Sequence, residues 1–276
     1  MNTMTNVISF GGEGVYRNVP NEIYHGDRTA ISSSGLKLIL QSPAHFVARQ
    51  EGPEESTVAK DFGTALHSAL LEPEKYRELY VAKPKINRST KSGKALAETI
   101  AIALADKVQI RPASIADIDA MVASAHKHPR VTEMLQDGAA EMSFVWTDES
   151  TGIRCKCRPD WLNTYGIWDV KSCLDASPDG FSRTCAKYKY HVSAAYYEEG
   201  VRKLTGKTLP FLFVASEKDP PYAVAVYQAS EAFLRSGRRL VRQALNRLHE
   251  CRERGEWPSY QPEGQIEMVE LPRWAA

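Results

Sequence analysis

Asp160, Asp169 and Lys171 are spaced to meet at one point of this chain. They fall in Cys157-Arg158-Pro159-Asp160 and in Ile167-Trp168-Asp169-Val170-Lys171-Ser172, with the turn formers Asn163, Thr164, Tyr165 and Gly166 between them. The spacing predicts two neighbouring strands joined by a hairpin loop. Side chains alternate faces along a strand, so Asp169 and Lys171 project to the same side. Carboxylates converging from adjacent strands make an oxygen-rich site for a hard divalent cation such as magnesium. A lysine beside them holds an attacking water or stabilises charge developing on phosphate oxygens, which is the chemistry a metal-dependent nuclease needs. An Asp-x-Lys triplet alone is common, and a surface ion pair beside an ordinary turn accounts for it equally well.

His67 adds a nitrogen donor. In Gly63-x-x-x-His67 the two residues lie on one helical face with Ala65, Leu66, Ala69 and Leu70 packed around them. Gly63 opens room for a strand or ligand, and the imidazole then aims at the metal. A histidine satisfied within an apolar core is the other reading. Glu141, on the strand before, is either a further acid of the site or an edge-strand surface carboxylate.

The elements that must position these residues are visible as changes of period. The first thirty residues, rich in turn formers, read as an arm with little regular structure. Serines 32–34 cap a helix that stops at Ser42-Pro43, and a second short helix carries residues 44–47. Residues 51–60 read as a polar loop, and Asp61 as the cap of a helix over 62–71. Residues 83–94 are a basic stretch, and helical periodicity returns in 95–108, 115–125 and 130–135. After Gly138 the period becomes two, with strands over 142–146, 153–161 and 167–172, which read as antiparallel. A helix over 188–204, strands over 211–216 and 222–227 and a long helix from Glu231 to about Glu253 complete the chain.

The composition is that of an ordinary globular protein: 276 residues, 43% hydrophobic and 25% charged, with a net charge of +1. Any nucleic-acid surface is therefore local. Lys83, Lys85, Arg88, Lys91 and Lys94 form one candidate surface. Arg235, Arg238, Arg239 and Arg242 form another, which a solvated helix face explains as well. Five cysteines, no signal-peptide pattern and no apolar run near the roughly 20 residues that span a bilayer point to a reduced, cytoplasmic protein. Cys155-Lys156-Cys157 lacks zinc-knuckle spacing and reads as ordinary strand.

Taken together, Pro159-Asp160, Asp169-x-Lys171 and Gly63-x-x-x-His67 resemble the PD-(D/E)xK nuclease superfamily, in its exonuclease VIII (RecE-like) and RecB-nuclease-like branch. Tyr24-His25, Ile31-Ser32-Ser33-Ser34-Gly35-Leu36-Lys37, Ser42-Pro43-Ala44-His45-Phe46 and Glu141-x-Ser143-x-x-Trp146 are similar to phage and prophage members of that branch. The resemblance implies an α/β (α+β) restriction-endonuclease-like fold, with a mixed central sheet flanked by helices. Residues 1–60 would pack as a helical N-terminal extension on a nuclease core over 61–276. It implies that His67, Asp160, Asp169 and the Val170 carbonyl ligate Mg²⁺, with Mn²⁺ as a substitute. Lys171 would position or help deprotonate the water, and Glu141 would hold a second metal or its water.

The branch usually carries Gln-x-x-x-Tyr on the next helix; here Ser193 and Tyr197 stand at those positions, with the glutamine absent, as candidate DNA contacts. The activity implied is ATP-independent 5′ to 3′ resection of double-stranded DNA ends, by a homo-oligomer that serves a single-strand annealing recombinase. An endonuclease of the same superfamily and a catalytically impaired DNA-binding module are the alternatives.

Overall fold

In the computed structural model, which describes residues 10–52, 57–261 and 264–271, a short strand β1 (Gly14–Tyr16) and a helix α1 (Asn21–Gly26) come first. Helices α2 (Ser33–Gln41) and α3 (Pro43–Glu51) meet at Ser42. Helix α4 (Val58–Leu71) carries His67 and leads through α5 (Pro73–Leu79), β2 (Tyr80–Ala82), α6 (Lys91–Ala103) and β3 (Val108–Ile110). Next come α7 (Pro112–Lys127), α8 (Pro129–Leu135), β4 (Ala139–Ala140), β5 (Ser143–Thr147), β6 (Arg154–Cys157), β7 (Trp161–Leu162) and β8 (Ile167–Cys173). The chain continues with α9 (Pro178–Lys187), α10 (Tyr190–Thr205), β9 (Phe211–Glu217), β10 (Val224–Gln228) and α11 (Glu231–Arg254).

The fold is the mixed α/β arrangement expected, with several local differences. The N-terminal arm holds β1, paired with β5, and α1; residues 1–9 lie outside the described residues. Thr57, not Asp61, caps α4 by accepting from the Lys60 amide, which leaves Asp61 in the first turn where an acid complements the helix dipole. Part of the expected 51–60 loop, residues 53–56, also lies outside the described residues. The basic stretch is a loop only to Thr90, whose hydroxyl caps α6, and the periodicity over 95–108 ends in strand β3. A further helix, α9, precedes α10; Ser177 caps it, Pro178 opens it, and the left-handed Lys189 separates the pair.

The expected strand over 153–161 is two strands in two sheets. Pro159, which has no amide hydrogen to donate, follows the end of β6. Strand β6 pairs antiparallel with β5 in the order β1-β5-β6, while β7 joins a five-stranded sheet, β10-β9-β8-β7-β4. In that sheet β8 and β9 run parallel from Ile167 opposite Phe211 to Cys173 opposite Glu217, and the other pairs are antiparallel.

Alternation along β8 and β9 gives the five-stranded sheet two buried faces. Trp168, Val170 and Val214 pack with Leu66 of α4, Ile118 and Met121 of α7 and Val131 of α8. Ile167, Cys173, Phe211 and Phe213 pack in the other cluster with Leu36 and Ile39 of α2, Val192 of α10 and Val241 and Leu245 of α11. Asp169 and Lys171 share the parity of Ile167 and Cys173, so they enter from this second side.

Helices α10 and α11 cross closely at Gly237, where an added Cβ would lie 2.0 Å from the His191 carbonyl oxygen. Backbone cannot yield there as a flexible side chain would. Gly237→Ala is expected to cost at least the 1–3 kcal/mol usual for overpacking, about 4 °C or more in the thermal midpoint. An unchanged midpoint by calorimetry would show that the crossing has slack.

Candidate metal and catalytic site

The site forms where β8 loses its neighbour. Strand β7 is two residues long and pairs with β8 only at Ile167 and Trp168. From Asp169 onward β8 is bonded to β9 on one side alone, which leaves the Val170 amide and carbonyl at an open edge. Buried backbone groups of this kind need partners. The Asp160 carboxylate accepts the Val170 amide at 2.7 Å, and His67 Nε2 lies 2.7 Å from the Val170 carbonyl oxygen.

Register places the acids. Trp161 is opposite Trp168, so one residue further along Asp160 falls opposite Asp169. Ala140 is opposite Trp161, so Glu141 falls on the other side of Asp160, and its amide donates to the Asp160 carbonyl at 3.1 Å. Three carboxylates thus stand in one row across three strands. Like charges directly opposite one another are destabilising.

The electrostatics record that crowding. Burial, with the charge of Asp160 added, pushes Glu141 up to about 8 against the pull of Arg158. Burial also pushes Asp169 up to about 6, with Asp160 raising it further and Lys171 opposing. Lys171 donates to Asp169 Oδ1 at 2.5 Å. Burial works to lower Lys171, but the Asp169 and Asp160 carboxylates prevail and hold it above the ordinary lysine range. Glu141 also takes a left-handed backbone, φ 52°, a conformation of the sort that concentrates at functional sites.

Two observations suit a cation. His67, Glu141 and Asp160 each offer a ligand atom, all within 4.8 Å of one another. A neutral imidazole donates from one nitrogen only. If Nε2–H serves the Val170 carbonyl, the Nδ1 lone pair faces Asp160 Oδ1 at 3.4 Å, a repulsive contact that a cation relieves. Asp169 Oδ2 is buried with no hydrogen-bond partner. A donor set of carboxylate oxygens and one imidazole fits magnesium or manganese.

The structure therefore brings together His67, Glu141, Asp160, Asp169, the Val170 carbonyl and Lys171. Gly63 faces open space, so no strand approaches it. A cavity of about 540 Å³ opens from His67, Glu141 and Asp160, with Tyr197 in its wall. Ser193 is buried, its hydroxyl 3.5 Å from that of Ser33, and does not line the cavity. Lys83, Lys85, Arg88, Lys91 and Lys94 are exposed but line none of it. On α11, Arg242 makes a two-pronged pair with Asp148, and Arg238 joins Glu198 and Glu231. These two arginines hold the helix in place. The five cysteines are buried and free, as ordinary strand and core residues are.

Sequence reasoning missed Lys156 and Arg158. Both are buried and line the cavity, and both lie against the Tyr24 ring at 4.9 Å and 4.0 Å. Lys156 donates to the Tyr24 and Asp27 carbonyls, whereas Arg158 holds Ser143, Asn21 and the Val19 carbonyl and approaches Glu141 at 3.7 Å. The signal available was three cations, Arg154, Lys156 and Arg158, alternating with Cys155 and Cys157 from the start of β6 to the residue after its end.

Comparison with known proteins agrees with this geometry. The chain matches the family described as a PDDEXK-like domain of unknown function, DUF3799, over residues 32–272. It is similar to the crystal structure of a "putative exonuclease" from Eubacterium rectale, at 13% identity and a TM-score of 0.63, covering 92% of this chain and 96% of that one. That likeness speaks to the fold alone. A second solved structure, SSO0001, is 12% identical over 76% of this chain and 83% of its own, and its TM-score of 0.27 carries no argument. No curated protein matches the chain. The match over most of its length places the chain in the DUF3799 family, and so in the PD-(D/E)xK nuclease superfamily.

Proposed function

We propose that this protein is a divalent-metal-dependent deoxyribonuclease that hydrolyses linear double-stranded DNA from its ends. The observation that carries the reading is the row of Glu141, Asp160 and Asp169 closed by His67 and Lys171, an arrangement whose charges conflict without a cation. His67, Asp160, Asp169 and the Val170 carbonyl would hold magnesium or manganese, and Glu141 would hold a second ion or a water beside it. Bound there, the metal supplies charge neutralisation at the phosphate and a lowered pKa for water.

The chain's own residues do the rest. Asp160 and His67 fix the β8 edge, so the site is rigid before substrate arrives. Lys171 stays a cation, because two carboxylates hold its proton. Its role is to donate hydrogen bonds to the attacking water or to phosphate oxygens, and not to remove a proton. Tyr197 in the cavity wall and the exposed Lys83, Lys85, Arg88, Lys91 and Lys94 are the candidate contacts for DNA. Attack from ends, resection 5′ to 3′ that feeds a single-strand annealing recombinase, and assembly into a homo-oligomer complete the reading. The Eubacterium rectale protein of similar fold is itself described as a "putative exonuclease".

End-labelled linear duplex and supercoiled circles, incubated with Mg²⁺ and with chelator, test this. Linear DNA should be degraded and circles spared, and chelator should stop the reaction. Asp169→Asn and Lys171→Met should each lower the rate by about a hundredfold or more, the scale of losing one preorganised charge-stabilising group. Nicked or linearised circles would favour an endonuclease. DNA binding without any Mg²⁺-dependent product would favour an impaired binder, the reading to which the short, buried Ser193 lends weight.

Metal-free stability gives a separate check. Glu141 and Asp169 ionise less readily in the folded chain than in the unfolded one. Their cost is absent at about pH 4 and grows as pH rises to about 8, so stability in chelator falls over that range. Glu141→Gln should remove most of the fall between pH 6 and 8. At pH 8 it should raise the midpoint by about 4 °C or more, while shrinking the stabilisation that added Mg²⁺ gives the parent protein. Identical pH profiles for the two proteins by scanning calorimetry would refute the charge conflict.

A further inference from the structure

Outside the cavity, rings and ammonium groups gather outward from Lys171. Lys171 Nζ lies 5.3 Å from the centroid of the Tyr190 ring, and Lys37 Nζ, from α2, lies 5.5 Å from the same centroid. Tyr190 stacks on Tyr188, with centroids 5.8 Å apart and planes 22° apart, and Lys187 Nζ sits 5.4 Å from the Tyr188 centroid. None of these residues lines the cavity. The ladder is thus a second surface that meets the catalytic lysine from another direction.

Core packing explains only part of it. Tyr190 does pack inward on Phe181 and Phe213. Tyr188 is 52% exposed, although it sits at the left-handed break between α9 and α10 where a small polar residue would serve. Lys37 is half-buried, and among the described residues no carboxylate lies within ion-pair distance of it, whereas Lys171 has Asp169. Burial and the neighbouring Lys171 charge hold Lys37 down at about 8. An ammonium kept beside another ammonium, over a shared ring and without its own acid, is missing an anion. An exposed tyrosine stacked on the same ring offers a face to a planar group. An exposed ring beside an ammonium matches a base and its neighbouring phosphate in a single nucleic-acid strand.

We propose that this ladder binds an unpaired stretch of DNA next to the phosphate to be cut, with a base stacked on Tyr188 and a neighbouring phosphodiester on Lys37. The placement rests on the nuclease reading above, but the binding does not. Bases inside a duplex are stacked on one another and present only their edges, so the ladder selects strands already parted at an end. Stacking on an aromatic face accepts any base, so no sequence preference is expected.

The test is fluorescence anisotropy in chelator, where nothing is cleaved, with a labelled oligo(dT) of about 15 nucleotides and a blunt hairpin duplex as the two probes. Tyr188→Ala should weaken oligo(dT) binding about tenfold and hairpin binding by about twofold or less, and Tyr188→Phe should restore it, because the stacking face remains. Lys37→Gln should weaken oligo(dT) binding and lower the slope of its salt dependence by about one. Equal losses on both probes, no loss from Tyr188→Ala, or no binding of oligo(dT) by the parent protein would each overturn the proposal. If the parent protein cuts no DNA yet Tyr188→Ala selectively loses the single strand, the ladder stands and the nuclease reading falls. If the parent protein cuts linear DNA and the Tyr188→Ala protein binds oligo(dT) as the parent does, the reverse holds.

Discussion

The site depends on the unpaired edge of β8 at Val170. A longer β7 would cover that edge with another strand's amides and carbonyls, and the sheet would simply continue. Because β7 begins only at Trp161 and pairs with only two residues of β8, the Val170 amide and carbonyl are left for side chains to satisfy. Asp160 and His67 do so, and in doing so they come from different elements to within 3.4 Å of each other. Backbone satisfaction, which is compulsory for buried groups, is thereby what assembles the ligand set. Pro159 is part of the same device, since it breaks the long strand and turns Asp160 away from the β5–β6 sheet.

The same geometry that collects the acids sets them against one another. In-register pairing sets Glu141, Asp160 and Asp169 side by side, and burial, with the charge of Asp160 added, raises Glu141 and Asp169. Two cations offset part of this strain from opposite sides. Lys171 binds Asp169 directly, and Arg158 approaches Glu141 while bound to Ser143 and to the N-terminal wall. The N-terminal residues are therefore tied to the site as well as packed on the core. Lys156, Arg158 and the Tyr24 ring form one cluster, and α1 is anchored through it to the strand that leads into Asp160.

Much of this was legible in the sequence because it rests on local spacing. The Asn163–Gly166 turn, the alternation of Asp169 and Lys171, and His67 on an apolar helix are short-range patterns, and the structure follows them. The division of residues 153–161 between two sheets was not legible, since Cys155, Cys157 and Trp161 share the parity of one continuous strand and only Pro159 hints otherwise. The cap of α4 moved from Asp61 to Thr57 because either residue type accepts an amide, and only tertiary packing decides how far a helix extends. Helix α9 was hidden for the opposite reason. Its Ser177-Pro178 start is a clear signal, but its composition is polar and its buried face is marked by few apolar residues, Phe181 and Cys185 among them. Ser193 shows the limit of carrying a role over by position: the helix is where it was expected, and the residue is turned into the core against Ser33.

Lys171 and Tyr190 join the two surfaces that converge on the acids. The cavity brings Arg158 and Lys156 to Glu141 and Asp160, while the aromatic ladder touches Lys171, which binds Asp169. A stacked pair of rings flanked by ammoniums suits one strand, whose bases are free to stack. With the carboxylate row between them, the junction from paired to unpaired DNA would fall at the metal site. Under the proposed reading, ends would be selected by the shape of the approach and not by contact with a terminus, and closed circular DNA would offer the ladder nothing unpaired.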